Sequence, residues 1–175
     1  MSFSIEQSIE VLQRTPAVLE SLLKNLSDDW VMSNEGVNTW SPFDVVGHLI
    51  HGEKTDWVPR MEIILSNQPN KSFTPFDRFA QFKESKGKTI NQLLDEFKAL
   101  RKKNVEILKS KNISPNDLKL TGKHPAFGDV TLEQLLSTWV AHDLNHIYQI
   151  SRAMASQYKQ DVGPWIEYLK VLRNQ

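Results

Sequence analysis

The chain has 175 residues, in which 21 lysines and arginines balance 21 aspartates and glutamates, so its formal net charge is zero. This balance argues against long-range attraction to nucleic acid or to an acidic membrane surface, and the length suits a single domain over residues 1–175. There is no cysteine, which excludes disulfides and leaves the chain no thiol of its own as nucleophile or metal ligand. Because no stretch has the apolar character of a signal peptide or a bilayer span, we expect a cytoplasmic protein without a membrane partner.

Four segments carry the capping box that is typical of a helix start. They begin at Ser4, Ser41, Thr89 and Thr131, where a hydroxyl can accept a hydrogen bond from an early helical N–H and an acid or amide three residues later can reach back. Pro42 adds a residue that suits the first helical position. Apolar residues then recur at helical spacing over residues 5–26, 45–64, 90–108 and 132–154.

These four amphipathic segments predict an all-α fold, because a four-helix bundle buries all of their apolar faces. The long polar joins 67–88 and 112–129 can each cross from one end of a bundle to the other. No stretch alternates with period two, so we predict no strand. Pro16 predicts a kink in the first helix, and the segment VGPWIEYLKVL near the C-terminus predicts a short fifth helix.

Two histidines of the fourth helix, His142 and His146, are four residues apart, so they lie one above the other on one helical face. At 100° per residue both point toward a neighbouring helix, and Asp143 falls in the middle of the apolar face. A buried pair of this kind is either a metal site or two core histidines with satisfied hydrogen bonds. The buried carboxylate needs a partner, and we expect Asp143 to orient a ligand histidine or a tryptophan N–H.

The second helix carries two further histidines in the segment GHLIHGE. His48 lies at the edge of the buried face, whereas His51 lies nearly opposite its centre and is expected on the surface. His48, His142 and His146 could therefore converge, and three neutral imidazoles with an open fourth position are typical of a catalytic metal site. Imidazole suits zinc, nickel, copper or iron, and the spacing does not choose among them. His124, in a loop, has no predicted role.

Two charged residues on the inner side of the second helix are candidate catalytic groups. Glu53 could act as a general base, and Arg60 could anchor a charged substrate. For Arg60 the structural alternative is a salt bridge with Asp56 at i, i+4, which we favour over the anchor role. For Glu53 the structural alternative is a pair with Arg60, which is at least as well supported as the role of general base.

The remaining conspicuous residues receive structural interpretations. The segment RKKN at residues 101–104 predicts a solvated helix face. The segment FDRF at residues 76–79 either anchors its long loop or forms part of a pocket wall. The tryptophans are expected to be packed, in the core for Trp57 and Trp139 and at helix ends for Trp40 and Trp165.

The segments TWSPFDVVGHLIHGE and HPAFGDVTLEQLLSTWVAHDLNHIYQISRAMA resemble the DinB-like superfamily, which includes YfiT-type metal-dependent enzymes and the bacillithiol and mycothiol S-transferases. The resemblance covers nearly the whole chain. It implies a bundle with up-down-down-up connectivity, often a homodimer, and a divalent metal held by His48, His142 and His146. The better understood members use the metal to activate a low-molecular-weight thiol that attacks a small electrophile.

Three functional hypotheses follow. The first is a metal-dependent transferase that joins a small thiol to a small electrophilic molecule, with the thiol as a second cofactor beside zinc, nickel or iron. The second is a metal-dependent hydrolase that uses the same site to activate water. The third is a metal-binding or stress-response module without catalysis. The neutral charge and the lack of a nucleic-acid motif argue against DNA binding.

Overall fold

The computed structural model describes residues 3–173, and its main feature is a bundle of four long helical segments. All four begin where the sequence predicts, because Ser4, Ser41, Thr89 and Thr131 each accept a hydrogen bond from the backbone N–H three residues later. The α-helices are α1 (Ile5–Leu23), α2 (Asp28–Val31), α3 (Pro42–Thr55), α4 (Trp57–Leu65), α5 (Ala80–Glu84), α6 (Ile90–Ser110) and α7 (Leu132–Ser156).

Two hydrophobic clusters, one at each end of the bundle, give the directions of the four long segments. One cluster contains the start of α1, α4, the end of α6 and the start of α7. The other contains the end of α1, the start of α3, the start of α6 and Ile150 near the end of α7. The first and fourth segments therefore run one way and the two between them run the other way, which confirms the predicted up-down-down-up bundle.

The second segment is two helices rather than one. The break falls at Asp56, between α3 and α4. Pro59 explains it, because a proline has no N–H and its ring clashes with the carbonyl four residues earlier, here Thr55. The other internal proline acts differently, since α1 continues as one helix through Pro16.

The prediction of no strand is wrong. Strands β1 (Thr121–His124) and β2 (Gly128–Thr131) form an antiparallel hairpin directly before α7. Both strands are short and carry few apolar residues, so no period-two pattern marks them. Gly122 is required by packing, because a Cβ atom there would lie 2.5 Å from the ring of Phe73.

The C-terminal segment also departs from expectation. It forms two short 3₁₀ helices, Gly163–Tyr168 and Lys170–Leu172, rather than an α-helix. Trp165, expected to pack at a helix end, is largely exposed. Within residues 3–173, no helix combines the length and the apolar character needed to cross a membrane.

Candidate metal centre

Three histidines from two helices meet on one side of the bundle. His48 comes from α3, and His142 and His146 come from successive turns of α7. The Nε2 atom of His142 lies 3.2 Å from Nε2 of His48 and 3.0 Å from Nε2 of His146. One ligand nitrogen from each ring can be chosen so that all three lie within 4.8 Å of one another. The structure thus brings together the three predicted metal ligands.

The arrangement of these nitrogens suits a metal ion. Tetrahedral zinc with Zn–N bonds of about 2.05 Å separates its nitrogens by about 3.3 Å, close to the 3.0 and 3.2 Å seen here. A neutral imidazole has only one N–H, so Nε2 of His142 cannot be both donor and acceptor toward its two neighbours. A shared cation would instead use the lone pairs of all three.

Burial keeps the three imidazoles in the neutral form that metal ligation requires. It lowers the pKa of His48 to about 3 and that of His142 to about 2, and in both cases the neighbouring histidine His146 adds to the effect. Burial also lowers the pKa of His146, although a hydrogen bond to Gln149 opposes the shift. All three rings are therefore available as ligands at neutral pH.

The outer nitrogens of the three rings differ in their partners. Nδ1 of His146 lies 2.8 Å from Oε1 of Gln149, which would fix Nδ1 as the donor and leave Nε2 free to bind. Nδ1 of His48 and of His142 have no hydrogen-bond partner among residues 3–173. Aromatic rings hold these two histidines instead. The ring centroids of Trp40 and His48 lie 4.8 Å apart, and those of Trp57 and His142 lie 5.0 Å apart in an edge-to-face arrangement.

The histidines form part of the wall of a cavity of about 500 Å³. This volume lies within the usual range for small-molecule sites. Its wall combines aromatic rings with a few charged and polar groups, and it includes Trp40, Trp57, Phe76, Phe127, Asp56, Arg60, Arg78, Gln134, Thr138 and Asn145. A ligand in the cavity would contact the three-histidine centre directly.

The family model for the DinB superfamily matches residues 11–150. The chain belongs to the DinB superfamily. The solved structure of YfiT from Bacillus subtilis, described as a probable metal-dependent hydrolase with an unusual four-helix bundle topology, is similar in fold. Its TM-score is 0.74 at 23% identity, over 89% of this chain and 90% of that chain. No curated protein matches the sequence.

In this DinB superfamily protein, Arg60 pairs with Asp56, as predicted from their spacing, and not with Glu53. Both Asp56 and Arg60 line the cavity, and Arg60 also lies over the ring of Phe73. Burial raises the pKa of Asp56, while the Arg60 guanidinium opposes the shift. Asp56, rather than Glu53, is therefore the carboxyl group on the cavity wall.

Glu53 and Asp143 belong to a separate cluster in the core, whose centre is Arg101 of α6. Arg101 forms ion pairs with both carboxylates, and all three side chains are almost completely buried. Asp143 therefore has an arginine as its partner rather than the expected histidine or tryptophan. Glu53, the predicted general base, instead accepts the indole N–H of Trp139 at 3.1 Å and is not among the residues that line the cavity. Burial raises the pKa of Glu53, and Arg101 opposes that shift.

The prediction that the RKKN segment forms a solvated helix face is wrong for two of its four residues. Arg101 and Asn104 are buried, whereas the two lysines between them are exposed. A signal was present, because positions 101 and 104 fall at helical spacing from the buried Phe97 and Leu108. The position of these two residues on the apolar stripe of the helix therefore predicts their burial better than their polarity does.

The two remaining histidines lie outside the centre. His51, predicted on the surface, is buried, because α5 covers it and Glu84 of that helix lies 3.1 Å from its Nδ1. His124, at the end of β1, stacks on Phe127 with ring centroids 4.5 Å apart, and both residues line the cavity. Phe76 and Arg78 of the FDRF segment also line it, so that loop forms part of the pocket wall.

Proposed function

We propose that this protein is a metal-dependent enzyme in which His48, His142 and His146 hold one divalent transition metal at the wall of a substrate cavity. The convergence of the three Nε2 atoms beside a 500 Å³ cavity carries the proposal. A divalent metal bound there would favour the deprotonated form of a small thiol or of water, and so supply a nucleophile near neutral pH. Zinc, nickel and iron all suit the ligand set.

The first candidate reaction is transfer of a low-molecular-weight thiol to a small electrophile. The chain contains no cysteine, so the sulfur would come from a second substrate. Within residues 3–173, Arg78 on the cavity wall forms no ion pair, and its charge can bind an acidic group of that thiol. Trp57, Phe76 and Phe127 offer flat apolar surfaces for the electrophile.

The second candidate reaction is hydrolysis, and Asp56 is the observation that favours it. A carboxylate on the cavity wall can act as a general base toward water. Its burial raises its pKa, which brings it closer to the range that suits proton transfer near neutral pH. The description of YfiT as a probable metal-dependent hydrolase supports the same reading.

The first experiment measures the metal content of tag-free protein that has never contacted a metal column. We expect about one equivalent of a transition metal in the native chain and none in His142→Ala/His146→Ala. His124→Ala is the matched control, because it removes a histidine of the same cavity that lies outside the centre. A native chain that stays metal-free after incubation with zinc and nickel would exclude both reactions.

The second experiment separates the two reactions in the metal-loaded protein. A panel of small thiols is assayed against a generic electrophile, and a panel of esters and amides is assayed without thiol. Transferase activity predicts that Arg78→Gln raises the KM for an acidic thiol and leaves that for a neutral thiol unchanged. Hydrolase activity predicts that Asp56→Asn lowers kcat by about 10²-fold or more, as expected for loss of a general base.

A further inference from the structure

We infer that Arg101 is a positioning residue for the three-histidine centre: its single guanidinium locks α3 to α7, the two helices that supply the histidines. The inference rests on the proposed metal site. Arg101 itself lies on α6, which contributes no ligand, and is not among the residues that line the cavity. Its action on a bound metal would therefore pass entirely through the helices that it joins.

All five N–H groups of Arg101 are used. Nε and Nη2 donate to Oε1 of Glu53 on α3, at 3.0 and 2.8 Å. Nη1 and Nη2 donate to the two carboxylate oxygens of Asp143 on α7. Nη1 also donates to the carbonyl oxygen of Leu12 on α1, at 2.9 Å. One planar group thus fixes three helices relative to a fourth, and only arginine offers five donors in such a rigid arrangement.

The two carboxylates lie close in sequence to the histidines. Asp143 directly follows His142 in α7, and Glu53 lies five residues after His48 in α3. A shift of one helix along the other would therefore move the histidines as well as the carboxylates. Because a metal site tolerates only small errors in ligand position, the lock on the carboxylates sets the geometry available to a metal.

A second line of contacts runs from the same cluster to the centre. Trp139 donates its indole N–H to Glu53, and the guanidinium of Arg101 lies over its ring, 5.3 Å from the ring centre. Trp139 stacks on Trp57 with centroids 5.8 Å apart and planes at 9°, and Trp57 packs edge-to-face with His142. The ring of His142 is therefore supported through rigid aromatic groups that the Arg101 cluster holds.

The test uses variants that keep the core filled. Arg101→Lys keeps the positive charge but lacks the fork that spans both carboxylates. Glu53→Gln/Arg101→Met/Asp143→Asn removes all three charges at similar volume, so that no carboxylate is left buried without a partner. The matched control is Arg152→Lys, which breaks a bidentate pair between α7 and Glu35 at a more exposed position outside the cavity.

Three quantities are measured for each protein: the Zn²⁺ dissociation constant by competition with a chromophoric chelator, the visible spectrum of bound Co²⁺, and Tm without metal. We expect the dissociation constant to rise about 10- to 100-fold in Arg101→Lys and in the triple variant, the range seen when groups that orient metal ligands are lost. The Co²⁺ spectrum should change as well. The control variant should match the native chain in its Zn²⁺ dissociation constant and in its Co²⁺ spectrum.

The outcomes separate the possibilities. The inference is overturned if either folded variant binds Zn²⁺ within twofold of the native chain and leaves the Co²⁺ spectrum unchanged. A lower Tm with unchanged metal binding would show that the role of Arg101 is purely structural. Should Arg101→Lys match the native chain while the triple variant does not, charge rather than the fork would matter, which also overturns it. Native protein that binds neither ion would refute the proposed function together with this inference.

Discussion

Two buried polar clusters of the bundle differ in how completely their hydrogen bonds are made. Around Arg101, every guanidinium N–H has an acceptor. In the three-histidine centre, the Nδ1 atoms of His48 and His142 have no partner among residues 3–173, and three Nε2 atoms face one another. A cluster whose hydrogen bonds are all made is rigid. A cluster with free lone pairs is stabilised when a ligand binds to them. Burial of polar groups alone therefore does not mark a functional site, but burial with unused lone pairs beside a cavity does.

The largest expected effect comes from breaking the complete cluster. Arg101→Ala should lower the free energy of unfolding by about 3–5 kcal/mol, because it leaves two buried carboxylates without their counter-charge. Urea denaturation of the metal-free protein, followed by circular dichroism, measures this. A loss below about 1 kcal/mol would mean that the two carboxylates are protonated or hydrated in the folded protein.

The incomplete cluster should behave in the opposite way, gaining stability from a ligand. Zn²⁺ at 100 times its dissociation constant should raise the free energy of unfolding of the native chain by about 2.7 kcal/mol. His142→Ala/His146→Ala should show no such gain, and His124→Ala should show all of it. Denaturation with and without Zn²⁺ tests this, and equal gains in all three proteins would place the binding elsewhere.

Acid should destabilise the folded protein through the histidine centre. The pKa of His48 is about 3 in the folded protein against 6.5 for the ordinary side chain. The unfolded chain thus binds more protons between these values, and stability falls as the pH drops below 6.5. At pH 5 this residue alone should account for a loss of about 2 kcal/mol relative to pH 7.

Denaturation of metal-free native protein and of His48→Gln at pH 7 and pH 5 measures that loss. The variant should lose about 2 kcal/mol less than the native chain on acidification. Identical losses would show that His48 is not kept neutral by burial.

The smallest effect is expected for an ion pair outside both clusters. Glu35→Gln breaks the pair with Arg152, which is partly exposed, and should change the free energy of unfolding by less than about 1 kcal/mol. Raising the salt concentration should reduce even this difference. A cost similar to that of Arg101→Ala would contradict the distinction between buried and exposed pairs.

The sequence predicted the bundle because local signals specify it. The four capping boxes and the 3.6-residue periodicity depend on neighbours a few residues apart, and the structure keeps all four helix starts. Convergence of His48 with His142 and His146 could also be expected, since each lies on or near an apolar face of its helix.

The misinterpreted residues all depend on contacts with distant segments. His51 lies away from the centre of its helix's apolar face, and only its contact with α5, from the long join, buries it. The prediction of a solvated Arg101 is wrong because carboxylates from two other helices, Glu53 and Asp143, neutralise its charge in the core. Hydrophobic periodicity cannot predict such pairings, because it describes the residues of one helix at a time.

Pro16 has a consequence that extends beyond its own helix. Since proline has no N–H, the carbonyl of Leu12, four residues earlier, has no helical donor. Arg101 supplies one from α6 at 2.9 Å. The proline thereby creates an acceptor on the side of α1, at the cost of one helical hydrogen bond. Replacing Pro16 by alanine would make α1 a better helix and would give Arg101 a competitor for that carbonyl. A substitution chosen for helix propensity would therefore act on a contact between α1 and the distant helix α6.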